Sequence, residues 1–163
     1  MSAAIDVEVQ NVSRLQQIPE STLIAEWIRD TIAFVRPDSD VSVEVAVRIV
    51  DEEESKALNG RYRHTDKPTN VLAFPADHTG FATLRQHGIA VPLGDLVVCG
   101  PLVIQEAGEQ SKAAEHHWHH LLVHGTLHLL GYDHEDEQQA AEMESLEARI
   151  LAICGIDNPY RDR

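Results

Sequence analysis

Three histidines recur at a spacing that suits a metal ion. His124 and His128 are four residues apart in a predicted helix, so both imidazoles project from one face. Gly131 can end that helix in a left-handed turn, which returns the chain and His134 toward the pair. Zn²⁺ binds neutral imidazole well, and three protein ligands leave a fourth position open for water or substrate. The pattern therefore predicts a catalytic metal site on these three histidines.

The same spacing of histidines and glycine occurs in the metzincin peptidases, whose motif has a glutamate directly after the first histidine. That glutamate is the general base of peptide hydrolysis, and in this chain the position is Gly125. The sequence thus resembles the metal scaffold of these peptidases without their base. A metallopeptidase-like or small-molecule metal hydrolase is an alternative class, and Gly125 is the feature against it.

The other histidines crowd around the same helix. The chain has ten, and seven lie in residues 116–134. A series with a spacing of four runs from His116 to His128 and drifts by about 40° per step around a helix. We therefore expect His120 to support the ligands or to line the cleft, and His116 and His119 to face solvent.

Acidic residues flank His134. Asp133 and Asp136 are both placed to cap the last predicted helix, and Gln139 lies three residues beyond Asp136. The functional alternative is that a carboxylate among Asp133, Glu135 and Asp136 orients an imidazole.

Hydrophobic periodicity predicts the elements that must hold these residues. Apolar residues alternate in the strands and recur at helical spacing in the helices. The predicted strands are residues 5–12, 41–50, 70–74 and 93–99; the predicted helices are one between Pro19 and Pro37, then about 51–62, 101–108, 111–130 and 136–153. Residues 76–92 are predicted to form a loop. The pattern is a mixed one, with about four strands and helices packed around them.

Length and charge narrow the class of protein. A chain of 163 residues favours one domain, 1–163. The 13 basic and 27 acidic residues give a net charge of −14, which argues against non-specific coating of nucleic acid or anionic membrane. We expect no membrane span and no signal peptide. Two cysteines are too few for a disulfide framework, and the expected location is cytoplasmic.

Six blocks of the sequence share a recognisable order along the chain. They are 58–63 (LNGRYR), 66–75 (DKPTNVLAFP), 93–97 (LGDLV), 117–134 (HWHHLLVHGTLHLLGYDH), 142–147 (EMESLE) and 158–160 (NPY). Together they resemble the YbeY endoribonuclease family of bacterial rRNA maturation factors. The resemblance runs from about residue 40 to 160, and the histidine block together with the Pro-Thr-Asn-Val-Leu block is highly specific.

The resemblance implies a single-domain α+β fold with a small mixed four-stranded sheet, about five or six helices and a zincin-like metal helix. It implies a zinc-dependent, single-strand-preferring endoribonuclease that acts in small-subunit rRNA 3′-end maturation and in ribosome quality control. The family's metal ligands correspond to His124, His128 and His134, with one Zn²⁺ per chain, and its functional arginine corresponds to Arg63. The implied partners are rRNA, the small ribosomal subunit and assembly proteins, with neither DNA nor a membrane expected.

A basic cluster lies in the first of these blocks. Arg61, Arg63 and Lys67 are the densest group of basic residues in an acidic chain. A guanidinium offers planar, bidentate donors to phosphate, although a solvated helix end has the same composition. With the resemblance, Arg63 and His124 are the catalytic candidates, and Arg61, Arg63 and Lys67 are the candidate RNA contacts. The nucleophile, water or an RNA 2′-hydroxyl, is left open, as is a ribosome-assembly binding factor with a structural metal.

Overall fold

The computed structural model of the protein describes residues 4–77 and 79–160. Both ends of the predicted 1–163 domain, and His78 of the predicted loop, lie outside the described residues. The described chain forms four strands and six helices, in the order β1 (Ile5–Asn11), α1 (Ser21–Val35), β2 (Val43–Val50), α2 (Glu52–Arg63), β3 (Val71–Pro75), α3 (Phe81–Gln86), β4 (Val91–Cys99), α4 (Gly100–Glu109), α5 (Ala114–Leu129) and α6 (Glu137–Ile153). The α+β prediction is confirmed. Every helix in this part of the chain is too short or too polar to cross a bilayer.

The sheet is mixed, with the strand order β1-β2-β4-β3. Strands β1, β2 and β4 are parallel, and β3 adds to β4 in the antiparallel sense as an edge strand. The β2–β4 register shifts after Glu44, so that Val45 pairs with Gly94. Gly94 has a φ of +147°, and a side chain there would overlap the carbonyl oxygen of Phe74 and lie 2.7 Å from Leu129 Cδ2. A glycine is therefore what lets β3 and α5 approach β4 so closely.

Helix α5 carries the predicted metal ligands and lies against the sheet. Trp118 and Leu122 are fully buried in the main core. The contact is closest at Gly125, where an added Cβ would lie 2.8 Å from Leu96 Cδ2 and 3.3 Å from Val71 Cγ2. The helix of the predicted ligands is thus packed closely against β3 and β4.

The prediction of a loop over 76–92 was wrong in part. Residues Phe81–Gln86 form the short helix α3, and β4 begins at Val91 rather than at Leu93. None of the α3 residues is buried, so the helix carries no apolar periodicity from which a sequence could predict it.

The prediction that His119 faces solvent was wrong. Its ring is buried and stacks on Trp27 of α1, with the ring centroids 4.3 Å apart and the planes 13° from parallel. Helix α5 is covered on this side by α1, so one more face of it is buried than the sequence pattern indicated. His116 is exposed, as expected.

Burial of His119 makes stability depend on pH. Burial, with smaller contributions from His116 and His120, lowers the pKa of His119 to about 4, whereas an unfolded imidazole titrates near 6.5. Between these values the unfolded chain binds a proton that the folded chain does not. We expect this group to cost up to roughly 3 kcal/mol of stability as pH falls from about 6.5 to 4.

The measurement is the free energy of urea unfolding at several pH values, on chelator-treated protein. The matched variant is His119→Phe, which keeps an aromatic ring against Trp27 but does not titrate. Its stability should fall less than that of the wild type over this range. Parallel pH profiles for the two proteins would contradict the assignment.

Candidate metal centre

The structure brings the three predicted ligands together. One ring nitrogen each from His124, His128 and His134 lies within 4.8 Å of the other two. The first two project from adjacent turns of α5, and their Nε2 atoms are 3.1 Å apart. His134 is exposed, and its ring centroid lies 5.0 Å from that of His128.

A tight turn delivers the third ligand. Gly131 follows α5 with a φ of +100°, and its N–H donates to the carbonyl of His128. The N–H of Tyr132 donates to the carbonyl of Leu127 in the same turn. The left-handed residue predicted at position 131 is therefore present, and it reverses the chain so that His134 faces the helix.

The hydrogen-bond partners fix the tautomers of the two helical ligands. His128 Nδ1 lies 3.0 Å from the carbonyl oxygen of Tyr132, and His124 Nδ1 lies 2.6 Å from Glu147 Oε1. A carbonyl and an ionised carboxylate can only accept, so each Nδ1 carries a hydrogen, and in the neutral imidazole Nε2 is then left with a lone pair. The two Nε2 atoms lie 3.1 Å apart, so the lone pairs of the neutral rings can be directed at one shared ion.

This arrangement fits a bound cation. Two ligands of a tetrahedral ion at 2.0–2.1 Å are separated by about 3.3 Å, close to the observed spacing of the two Nε2 atoms. Burial, with the two neighbouring imidazoles, lowers the pKa of His128, which favours the neutral form that metals bind. The donor set of three imidazoles suits a borderline metal such as zinc.

Glu147 of α6 is the carboxylate that supports this site, and the sequence analysis did not identify it. Its side chain is fully buried and accepts hydrogen bonds from His124 and from the hydroxyl of Tyr160, each at 2.6 Å. Burial alone would raise the pKa of this carboxyl, but hydrogen bonds from two imidazoles and the phenol outweigh it and lower the pKa to about 2. The group is therefore ionised at neutral pH and holds the His124 ring in its ligating tautomer.

Replacing this carboxylate should weaken metal binding. We expect Glu147→Gln to lower metal affinity by about 10- to 100-fold, because a neutral amide accepts more weakly from Nδ1. Competition with a chromogenic chelator measures the Kd. The matched control is Glu142→Gln at an exposed position of the same helix. Equal affinities in the two variants would show that Glu147 does not position the ligand.

Among the described residues, the side chains of the flanking acids form no hydrogen bond to an imidazole. Asp136 caps α6 by accepting from the N–H of Gln139 at 2.7 Å, as predicted. Asp133 accepts from the backbone N–H of His134 at 2.8 Å and so supports the turn. The carboxylate that bonds an imidazole of the predicted ligand set is Glu147, rather than one of these flanking acids.

A cleft of about 950 Å³ adjoins the three-histidine group, with His124 in its wall. His120 also lines it, and its Nε2 lies 3.1 Å from the Tyr160 hydroxyl and 3.5 Å from Glu147 Oε1. His117 lines the same cleft and bonds Glu106 at 2.9 Å. His120 therefore lines the cleft, which is one of the two positions expected for it, and it also lies beside the carboxylate that bonds His124.

Gly125 has a structural role at the position of the peptidase base. A Cβ at this position would face Leu96 and Val71 of the sheet rather than the cleft. No side chain fits there without displacing the core, so the helix gains its close contact with the sheet at the position where a peptidase has its base.

The basic cluster lies at the end of α2, in contact with β3. The Arg63 guanidinium donates to the carbonyls of Ala73 and Tyr62, at 3.1 and 3.2 Å, and lies over the Phe74 ring. Arg61 lies over the ring of Tyr62, and Lys67 is exposed. In the part of the chain that the structure describes, none of the three forms a hydrogen bond or ion pair with the predicted metal ligands.

Polar side chains of α2 bond the backbone of the Pro-Thr-Asn block that follows the helix. Ser55 Oγ donates to the carbonyl of Thr69 and accepts from its N–H, while the Asn59 amide donates to the carbonyl of Lys67. Asn70 donates to Glu106, the carboxylate that also binds His117. The two most specific sequence blocks are therefore linked through Glu106 by a partly buried chain of hydrogen bonds.

The chain is similar in sequence to several known proteins. A family model described as Endoribonuclease YbeY matches residues 8–155. A protein of Halorhodospira halophila named Endoribonuclease YbeY is 57% identical over 120 residues, covering 74% of this chain and 76% of that protein. One of Coxiella burnetii with the same name is 41% identical over 159 residues, covering 97% and 99%.

A solved structure shares the fold. The solution structure of a Thermotoga maritima protein covers 96% of this chain and 99% of its own, with a TM-score of 0.54 and 22% sequence identity. At that identity the likeness shows a common fold and nothing more.

Proposed function

This chain belongs to the YbeY endoribonuclease family, and on that premise we propose that it is a metal-dependent endoribonuclease whose metal ion is bound by His124, His128 and His134. The observation that carries the proposal is the pair of Nε2 atoms that lie 3.1 Å apart, while each ring's Nδ1 bonds an oxygen acceptor. Such a pair is stabilised by a shared cation.

The finer assignment is a single Zn²⁺ per chain, within one domain spanning residues 1–163. The proposed substrate is single-stranded RNA at the 3′ end of small-subunit rRNA, in the cytoplasm. The proposed partners are the small ribosomal subunit and its assembly proteins. The names of the relatives support the RNA substrate, and the three-imidazole donor set supports zinc.

The residues of the proposed site have separate roles in cleavage. Bound zinc supplies a Lewis acid for a phosphoryl oxygen and a means of activating water near neutral pH. Glu147 holds His124 in place, and the cleft beside it accommodates the strand. Arg63 has five N–H donors, of which two bond backbone carbonyls, so the remainder are available to a phosphate oxygen.

Cleavage of a labelled single-stranded RNA by purified, zinc-loaded protein tests this function. We expect cleavage that a chelator abolishes and that zinc restores. A 2′,3′-cyclic phosphate at the new end would assign the RNA 2′-hydroxyl as nucleophile, and a 5′-phosphate on the downstream product would assign water. RNA binding without metal-dependent cleavage would instead favour a binding factor with a structural metal.

Arg63 is the test of the phosphate contact. We expect Arg63→Ala to lower kcat/KM on RNA by about 10²-fold, because a charge-assisted contact to the phosphate is lost, while zinc content stays unchanged. Arg63→Lys should recover only part of the loss, since an ammonium cannot form the bidentate contact. The control is Arg29→Ala, which removes an arginine of α1 that donates to the Ile5 carbonyl of β1. Wild-type kinetics in Arg63→Ala would exclude this role.

A further inference from the structure

Arginine and aromatic side chains alternate on one surface, where α2 ends beside β3. The Tyr62 and Phe74 rings pack edge to face, with their centroids 5.2 Å apart and the planes at 73°. The Arg61 guanidinium lies 5.3 Å from the centre of the Tyr62 ring, and that of Arg63 lies 5.6 Å from the Phe74 ring. We call these four residues the arginine–aromatic surface.

This surface is largely open to solvent, and of its four side chains only Phe74 is half-buried. Tyr62 is 47% exposed, although the chain has only eight aromatic residues of the Phe, Trp and Tyr types. Both arginines are exposed as well. An exposed ring with a guanidinium over it provides flat, polarisable area that the fold does not bury.

The charge of the surface contrasts with that of the chain. The protein has a net charge of −14, whereas Arg61, Arg63 and Lys67 lie within seven residues here. The one acid in that stretch, Asp66, is 3.8 Å from Lys56, which offsets its charge. The surface is therefore a local cationic region on an acidic protein, and it is complementary to a polyanion.

We propose that the arginine–aromatic surface binds single-stranded RNA by stacking nucleobases on Tyr62, Phe74 and the guanidinium planes. This inference rests on the proposed function and identifies where the substrate strand is held. Unpaired bases stack on aromatic rings and on arginine planes, while phosphates accept from the same guanidinium groups. A duplex offers neither, because its bases already stack on each other.

Strand β3 connects this surface to the metal helix. Phe74 and Ala73, which contact Arg63, belong to the strand whose Val71 lies against Gly125 of α5. Its other end lies close to Gly94, where Leu129 of α5 also approaches. A strand of RNA held on the arginine–aromatic surface is thus anchored to the edge strand that borders the helix of His124 and His128.

The test compares substitutions at Tyr62, which is outside the metal centre. We expect Tyr62→Leu to weaken binding of a short single-stranded RNA by about tenfold, with Tyr62→Phe close to wild type, because the ring face and not the hydroxyl carries the contact. Binding is measured by fluorescence anisotropy, and zinc content and thermal unfolding are measured on each variant. A blunt duplex of the same sequence should bind weakly to all three proteins.

A second variant gives a direct signature of stacking. Trp27 and Trp118 are buried, so Tyr62→Trp places an exposed indole at position 62 alone, and its emission should be quenched by single-stranded RNA. An RNA with one abasic site moved along its sequence should lose the quenching at one register. Equal quenching by fully abasic RNA would overturn the proposal.

The outcomes separate this inference from the proposed function. Metal-dependent RNA cleavage by the wild type, with unchanged RNA affinity in Tyr62→Leu, overturns the stacking surface and leaves the nuclease assignment intact. Weakened binding in Tyr62→Leu without cleavage by any form supports the surface and overturns the nuclease assignment. A wild-type protein that binds no RNA overturns both.

Discussion

Replacing His134 by alanine is expected to lower metal-dependent RNA cleavage by more than about 10³-fold, because an ion held by two imidazoles loses both affinity and the geometry that activates its substrate. Removing His128 should have the same effect. His134 is the sharper choice since its side chain is exposed and packs little, so the folded structure should remain. The zinc content of the purified variant should fall well below one ion per chain.

The matched control is His116→Ala, which removes an exposed histidine from the same helix as the other two ligands. It should retain both zinc and cleavage. Elemental analysis and thermal unfolding are measured beside activity, so that loss of metal is separated from loss of fold. Full zinc content and full cleavage in His134→Ala would remove the three-histidine site from the mechanism.

Placing a glutamate at position 125, where the metzincin peptidases have their base, is expected to unfold or severely destabilise the protein rather than to create a peptidase. Gly125 faces Leu96 and Val71, and even a Cβ would lie 2.8 Å from the fully buried Leu96. A carboxylate forced into that contact is buried without a partner, which costs roughly 3–5 kcal/mol.

A second helical glycine provides the control. An added Cβ at Gly108 of α4 meets no atom within 4 Å, so Gly108→Glu should be neutral or slightly stabilising. Urea unfolding of the two variants measures the difference. A stable Gly125→Glu protein that cleaves a peptide library in a zinc-dependent manner would reverse this account and revive the peptidase alternative.

Most of the elements and the ligand set were predictable because they depend on local spacing. Alternation in residues 43–50 and the i, i+4 pair at His124 are properties of one strand and one helix. Tertiary contacts decide the rest. Nothing in the local pattern indicates that α1 covers His119, or that an exposed six-residue helix forms at Phe81–Gln86.

Glu147 shows where a signal existed and was not used. It lies four residues after Met143 and three before Ile150, on the apolar face of the last helix. A charged residue at such a position indicates either that the predicted apolar face is wrong or that the charge is buried beside hydrogen-bonding partners. The sequence could have raised that question, but the partner is 23 residues away on another helix, so only the fold identifies it.

The hydrogen bonds of Glu147 also determine the order in which the site can form while the chain is being translated. The three metal ligands are complete once residue 134 has been made, but the carboxylate that fixes His124 comes 13 residues later, and the hydroxyl that fixes the carboxylate is on Tyr160. A growing chain therefore carries its metal ligands before it can hold them in register. Chains that stop between His134 and Tyr160 have all three histidines but an unsupported site, so full competence requires translation through Tyr160.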